Sequence, residues 1–314
     1  MRLSEIGEFG LIKRIRLLCK RRAKGLVFGI GDDAAVIKKT HGLTLITSDM
    51  LIEGVHFDLE YTTPYQLGQK ALAVNISDIH AMGGKPRFFL LDIGIPDGFT
   101  LNKIEEIYKG STELAGEFGI TIIGGDTSYS RSGLLLSGTL IGETERPIMR
   151  SGARVGDGIF VRGTLGDSAM GLELLRRGER IHPGQSPAIA YLISRHLVFT
   201  PTPITDTKGI TSMIDISDGL LIDISHICDE SNVGAMIYKK DIPLSEQLIT
   251  VAKRLNRDPY EFALRGGEDY ALLFTSSRDR RDATRIGEII PKGRYIIDDG
   301  RKIRFKAEGY EHFK

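Results

Sequence analysis

Apolar residues recur every three to four positions over residues 4 to 22, with Ile6, Phe9, Ile12, Ile15 and Cys19 on one stripe. That spacing predicts an amphipathic helix with Ser4 as its N-cap. The period then shortens. Val36 to Lys38 and Leu43 to Thr47 read as two short strands, and the Lys-Thr-His-Gly near their junction reads as a hairpin. A helix is expected from Pro64 to Met82, opened by a proline in its first turn and stopped by Gly83-Gly84. The pattern next predicts a strand over 88–95, a helix over 101–118 with Gly119 as its stop, a buried strand over 120–123 and a strand over 134–141. The first half therefore reads β-β-α-β-α-β-β, an α+β sheet with helices on one face.

The stretch 142–158 is polar, turn-rich and carries Pro147, which marks a boundary between a domain over 1–147 and another over 148–314. Beyond it a strand is expected over 159–162, then a helix that Asp167 would cap and that runs to Arg177. Helices over 189–197, 220–230, 244–255 and 259–264 and strands over 212–216, 233–238 and 270–275 follow, with short strands to the end. A chain of 314 residues with 41% hydrophobic content can bury two cores.

Charge and composition then remove classes of function. A net charge of +1 argues against a nucleic-acid or polyanion partner, and the basic run from Lys13 to Lys24 reads as the solvated face of the first helix. No apolar run approaches the roughly 18 residues of a membrane-spanning helix. The amino terminus alternates charged and apolar residues from Glu5 onward, so it lacks a signal-peptide core. The two cysteines, Cys19 and Cys228, fall within helical patterns, as inert thiols of a reducing compartment would. A soluble cytoplasmic protein with no membrane and no nucleic-acid partner is expected.

The candidate chemistry lies in acids flanked by Gly or Ser. Residues 29–57 hold Asp32, Asp33, Asp49, Glu53 and His56, and similar sets recur at 75–78 (NISD), 124–127 (GGDT), 215–218 (DISD) and 266–269 (GGED). Any one Asp in such a loop is most simply a turn or cap residue. Asp33, Asp49, Asp78, Asp126, Asp215 and Asp218 together are a set of hard oxygen donors suited to several Mg²⁺ ions. Gly29-x-Gly31-x-x-Ala34 matches a loose dinucleotide fingerprint, but its two acids would face the pyrophosphate and a strand follows it. No Walker-type loop and no kinase HRD motif is present. The pattern predicts a metal-dependent nucleotide site built from both halves of the chain, with His56 facing a substrate phosphate. Arg150 suits phosphate charge or an ordinary exposed surface, and Tyr310 suits ring stacking or pinning the terminus.

Taken in order, GIGDDAAV, TSDMLIEGVHF, KALAVNISDIHAMGG, IIGGDT, GTLGDSAMGLELL, DISDGL and GGEDYALLF closely resemble thiamine-monophosphate kinase over nearly the whole chain. Aminoimidazole ribonucleotide synthase, selenophosphate synthetase and a hydrogenase-maturation protein share only parts of that set. The reactive Cys near the amino terminus and the terminal Cys of the last two have no counterpart here. The resemblance implies a two-domain aminoimidazole ribonucleotide synthase-like α+β fold, with amino-terminal strands pairing across a homodimer into a barrel. It implies ATP-dependent phosphorylation of thiamine monophosphate to thiamine diphosphate by in-line transfer with several Mg²⁺ ions. Asp33, Thr47, Ser48, Asp49, Asp78, Asp126, Asp215 and Asp218 are implied as metal ligands. Tyr108, Gly125, Asp126, Arg150 and Ser217 are implied as ATP contacts, and His56, Glu268 and Tyr310 as the thiamine-phosphate pocket. No side chain reads as a general base, and Asp49 and Arg150 are left to position charge in the transition state. Met50, His80 and Tyr310 depart from many relatives.

Overall fold

The computed structural model describes residues 11, 14–19, 24–28, 36–37 and 42–310. Ser4, Ile6, Phe9 and Ile12 of the expected first helix lie outside these; Leu11 and residues 14–18 are helical, with Ile15 and Cys19 buried. The chain divides into two compact units, Met1–Pro147 and Ile148–Lys314.

In the first unit β1 (Leu26–Phe28) pairs with β2 (Val36–Ile37). A sheet follows from β3 (Leu43–Ile52), β4 (Lys85–Ile95), β5 (Thr121–Gly124), β6 (Thr127–Tyr129) and β7 (Leu135–Thr144). Its order is β3-β7-β4-β5, with β6 pairing β4. The expected hairpin is not among the pairings of the described residues, and its Lys-Thr-His turn lies outside them. β2 pairs with β1, and β3 pairs along its whole length with β7, from Leu43 opposite Thr144 to Ile52 opposite Leu135.

Helix α1 (Pro64–Ala81) begins where Thr63 and Gln66 satisfy each other's backbone N–H in a capping box. It is buried nearly all round from Leu67 to Ala81 because it lies on β3, β7 and β4 and beneath α2 (Leu101–Phe118). Gly68 and Gly110 let the two helix backbones touch: a Cβ on Gly68 would overlap Ile107 O, and one on Gly110 would overlap Tyr65 O. Ser111 Oγ donates to Gly68 O at 2.7 Å across the same contact. Gly119, at φ +67°, ends α2 in the left-handed conformation that glycine adopts without a steric penalty.

The second unit holds a sheet of order β14-β13-β10-β12-β8-β11-β9. Its strands are β8 (Gly158–Arg162), β9 (Ile210–Asp215), β10 (Gly234–Tyr238), β11 (Leu272–Ser276), β12 (Thr284–Ile290), β13 (Arg294–Asp298) and β14 (Arg301–Arg304). Helices α3 (Asp167–Arg176), α4 (Pro187–Leu197), α5 (Leu220–Ser231), α6 (Glu246–Arg254) and α7 (Pro259–Arg265) connect them. Ile159, Val161, Ile214, Leu273 and Ile286 from the strands pack with Leu220, Ile224 and Ile227 of α5 as one core.

Asp167 is not the cap of α3. It is the first helical residue, and Gly166 occupies the cap position with no side-chain cap of its own. The carboxylate of Asp269 reaches in instead, accepting Gly166 N at 2.6 Å and Ser168 N at 3.1 Å. A distant acid can take over a helix cap because the orphan N–H groups accept any oxygen held in the right place. Asp167 turns inward to Thr164, Tyr191 and Ser245.

Replacing Gly110 with Ala is expected to destabilise the protein by about 1–3 kcal/mol, as overpacking does in tight cores. A urea unfolding midpoint equal to that of the wild type would show that α1 and α2 do not rely on this contact.

Candidate functional site

In the first unit the described candidate acids Asp49, Asp78 and Asp126 lie on a strand, a helix and a turn. β3 continues through Ile52, five residues past its expected end at Thr47, so Thr47, Ser48 and Asp49 stand in mid-strand. Alternation turns Leu45, Thr47, Asp49 and Leu51 toward α1, and Ile46, Ser48, Met50 and Ile52 the other way. Thr47 Oγ1 donates to Asp78 Oδ2 on α1, which joins the two segments. Ser48 is separated from that set; its hydroxyl lies 3.1 Å from both Gly138 O and Thr139 Oγ1 on β7. Asn75, one turn before Asp78, is buried and donates to Ala71 O at 3.0 Å.

Asp126 is exposed on the turn between β5 and β6, just after Gly125 at φ +142°. Its N–H donates to Asp92 Oδ1 at 2.7 Å, and its carboxylate accepts Thr127 N at 2.8 Å. His56 is set by its backbone and ring together: Nδ1 accepts Ile52 N at 3.1 Å, and Lys70 Nζ donates to His56 O at 3.0 Å. With Nδ1 accepting, the proton of the neutral ring sits on Nε2. Tyr108 is 2% exposed within the helix pair, and burial pushes its phenol above the usual range. Cys19 and Asp92 add to that rise, which places the ring near the acid that holds Asp126 N. Asp33 lies outside the described residues.

In the second unit three separate segments converge. Glu268 N donates to Ser217 O at 2.7 Å, Tyr270 N to Ile216 O at 2.9 Å, and Tyr310 N to Asp218 O at 3.0 Å. Gly267 and Gly309 permit this approach, since a Cβ on either would press against Ser217 O or Asp218 O. The GGED loop and the carboxy-terminal segment are thereby sewn onto the DISD loop, bringing Ser217, Asp218, Glu268 and Tyr310 together. Arg150 is exposed, and its carbonyl accepts Ser231 Oγ at 3.3 Å.

Asp223 belongs with these acids, though sequence reasoning passed it over. It is 1% exposed in the first turn of α5 and accepts Asp218 N at 3.2 Å and Gly219 N at 3.1 Å. Burial, with Asp218 and Asp215 adding repulsion, pushes its carboxyl up to about 8. A divalent cation held by Asp215 and Asp218 would offset that repulsion, so the donors present fit Mg²⁺ in charge and in kind. Among the described residues no three His, Cys, Asp or Glu side chains form a metal cage by themselves. The available signals for the missed acids were an Asp in a helix's first turn (Asp223) and an Asp inside the apolar strand FFLLDIGI (Asp92).

Residues 31–144 match the family described as AIR synthase related protein, N-terminal domain. The chain is 38% identical to a thiamine-monophosphate kinase of Aquifex aeolicus over 100% of both proteins. The crystal structure of thiamine-monophosphate kinase from Stenotrophomonas maltophilia K279a superposes with a TM-score of 0.81 at 35% identity, covering 93% of this chain and 96% of that one. AaThiL complexed with AMPPCP and TMP superposes at 0.79 with 38% identity, covering 100% and 99%.

The GGED loop carries a pH prediction. Burial pushes Asp269 from 3.8 up to about 7 despite the Gly166 and Ser168 N–H groups, and Asp167 adds to the rise. Because the folded value lies above the unfolded one, the stabilising contribution is complete below about pH 4 and fades as pH rises toward 7. The stability of wild type relative to Asp269→Asn should therefore fall between those limits in urea titrations. A flat or rising difference would refute the burial argument.

Proposed function

The chain belongs to the thiamine-monophosphate kinase family, and on that premise we propose that it phosphorylates thiamine monophosphate with ATP to give thiamine diphosphate and ADP. The observation that carries the reading is the sewing of the GGED loop and the Tyr310 segment onto the DISD loop. A carboxylate and an aromatic ring, suited to a cationic thiazolium and a flat pyrimidine, are thus fixed beside acids suited to cations that bind polyphosphate.

The acceptor is already an anionic phosphate, so the protein needs no general base. Its task is to hold two anions in line and to neutralise them. Bound Mg²⁺ would supply the neutralising charge. Asp33, Thr47, Asp49, Asp78, Asp126, Asp215 and Asp218 would hold such ions through side-chain oxygens. Ser48, whose hydroxyl faces away, would contribute only its backbone carbonyl. Tyr108, Gly125, Asp126, Arg150 and Ser217 would contact ATP, with Asp49 and Arg150 positioning charge in the transition state. His56, presented by Lys70 and Ile52, would meet the acceptor phosphate, and Glu268 and Tyr310 would meet its rings.

We propose further that the protein acts as a cytoplasmic homodimer. β3 is an edge strand whose open face shows Ile46 at 69% and Met50 at 49% exposure, a liability that pairing with a second copy removes. Light scattering should give twice the 34.7 kDa chain mass, and Ile46→Asp should shift it toward one. A wild type that is monomeric at micromolar concentration would end this part of the reading.

The activity test incubates the protein with ATP, MgCl₂ and thiamine monophosphate and resolves the products by chromatography. Thiamine diphosphate and ADP should form in equal amounts and vanish with EDTA. Asp49→Asn should fold normally and lose about 10²–10³-fold in turnover, the scale of one lost electrostatic contact in a transition state. ADP without thiamine diphosphate would point to another acceptor.

A further inference from the structure

The GGED loop holds two residues in a conformation that side chains rarely adopt. Glu268 has φ +63° and Tyr270 φ +49°, both in the left-handed region. Such a backbone persists only where its surroundings over-determine it. Here the surroundings are the last turn of α4 and the residues just beyond it. Arg195 Nη2 donates to Asp269 O at 3.3 Å, and the Phe199 ring stacks on Tyr270 with centroids 4.1 Å apart and planes 5° from parallel. Between them His196 Nδ1 lies 3.3 Å from Glu268 Oε2 and 3.1 Å from Ser168 Oγ. Three consecutive loop residues are thus gripped by one short segment.

The position of His196 follows from close helix packing. Gly171 of α3 lies so near α4 that an added Cβ would overlap Leu192 O and stand 3.0 Å from His196 Cβ. The imidazole is therefore held within α3 and α4, 5% exposed, with one edge turned to the carboxylate. Every other position α4 buries, from Ile189 to Leu197, is aliphatic. A ring nitrogen at 196 brings what an aliphatic residue could not, a hydrogen-bonding group beside the Glu268 carboxylate.

We infer that His196 is a positioning residue for the acceptor site: by donating from Nδ1 it fixes Glu268 in the orientation that receives the cationic rings of the acceptor. The inference rests on the proposed kinase reading and deepens it, since it makes acceptor affinity depend on a residue that does not touch the acceptor. Recognition by a carboxylate loses strength when that carboxylate is less well ordered, so removal of the His196 ring should weaken acceptor binding and leave ATP binding alone.

The test is steady-state kinetics on the full-length protein, with the KM for thiamine monophosphate and the KM for ATP measured separately, alongside thermal melting. His196→Leu should raise the acceptor KM by about tenfold or more, the effect of losing a hydrogen bond to a charged group. The ATP KM should stay at the wild-type value. His196→Asn, whose amide nitrogen falls near the place of Nδ1, should restore most of the loss. His196→Gln, which mimics the other ring nitrogen, should not, and this pair decides the matter if the Leu variant fails to fold. In a Glu268→Ala background the His196→Asn and His196→Gln variants should no longer differ. An unchanged acceptor KM in folded His196→Leu or His196→Gln, or both KM values rising together, would overturn the inference while leaving the kinase reading intact. A wild type that forms no thiamine diphosphate would overturn the reading and the inference with it.

Discussion

Carboxylates drawn close together and away from water repel one another, and the second unit is arranged around that constraint. Asp215 ends β9, Asp223 lies in the first turn of α5, and Asp218 and Asp269 lie in the loops before α5 and β11, where backbone N–H groups or a bound cation can compensate them. Asp223 takes the N–H groups of Asp218 and Gly219, and Asp269 takes those of Gly166 and Ser168. Even so, burial leaves both carboxyls titrating far above their ordinary value. An arrangement this costly to hold apart is ready for positive charge.

Precision in that arrangement comes from backbone rather than from side-chain packing. Gly267 and Gly309 permit two loops to lie directly on the DISD turn, so a few N–H donors can fix Glu268 and Tyr310 relative to Ser217 and Asp218. The same device operates in the first unit, where Gly68 and Gly110 seat α2 against α1 and α1 presents Asp78 to Thr47. A hydrogen bond between fixed backbone atoms orders nothing further when substrate arrives, which is the physical content of preorganisation.

The division of labour between strands and loops follows. Strand β3 offers Thr47 and Asp49 on one face and the exposed Ile46 and Met50 on the other, so a single element carries polar and apolar surfaces at once. The loops of the second unit, held by α4 and the DISD turn, present Glu268 and Tyr310 beside Ser217 and Asp218.

Much of this was legible in the chain itself. Helices 64–82 and 101–118 announced themselves through Pro64, Gly83 and Gly119, because caps and stops act within a few residues. The acidic motifs were equally plain, and so was the family they resemble, since spacing and residue type carry both. What only the folded chain decided is everything that depends on a distant partner. β3 takes β7 as its partner, Asp269 caps a helix about a hundred positions earlier, Ser48 turns away from Thr47 and Asp49, and Tyr108 is buried in the core. Asp223 and His196 acquire their roles only when α5 and α4 are packed against the loops they serve. Local sequence determines which conformations a segment favours, but the partner of a polar group is set by whichever donor or acceptor the tertiary packing brings within 3 Å.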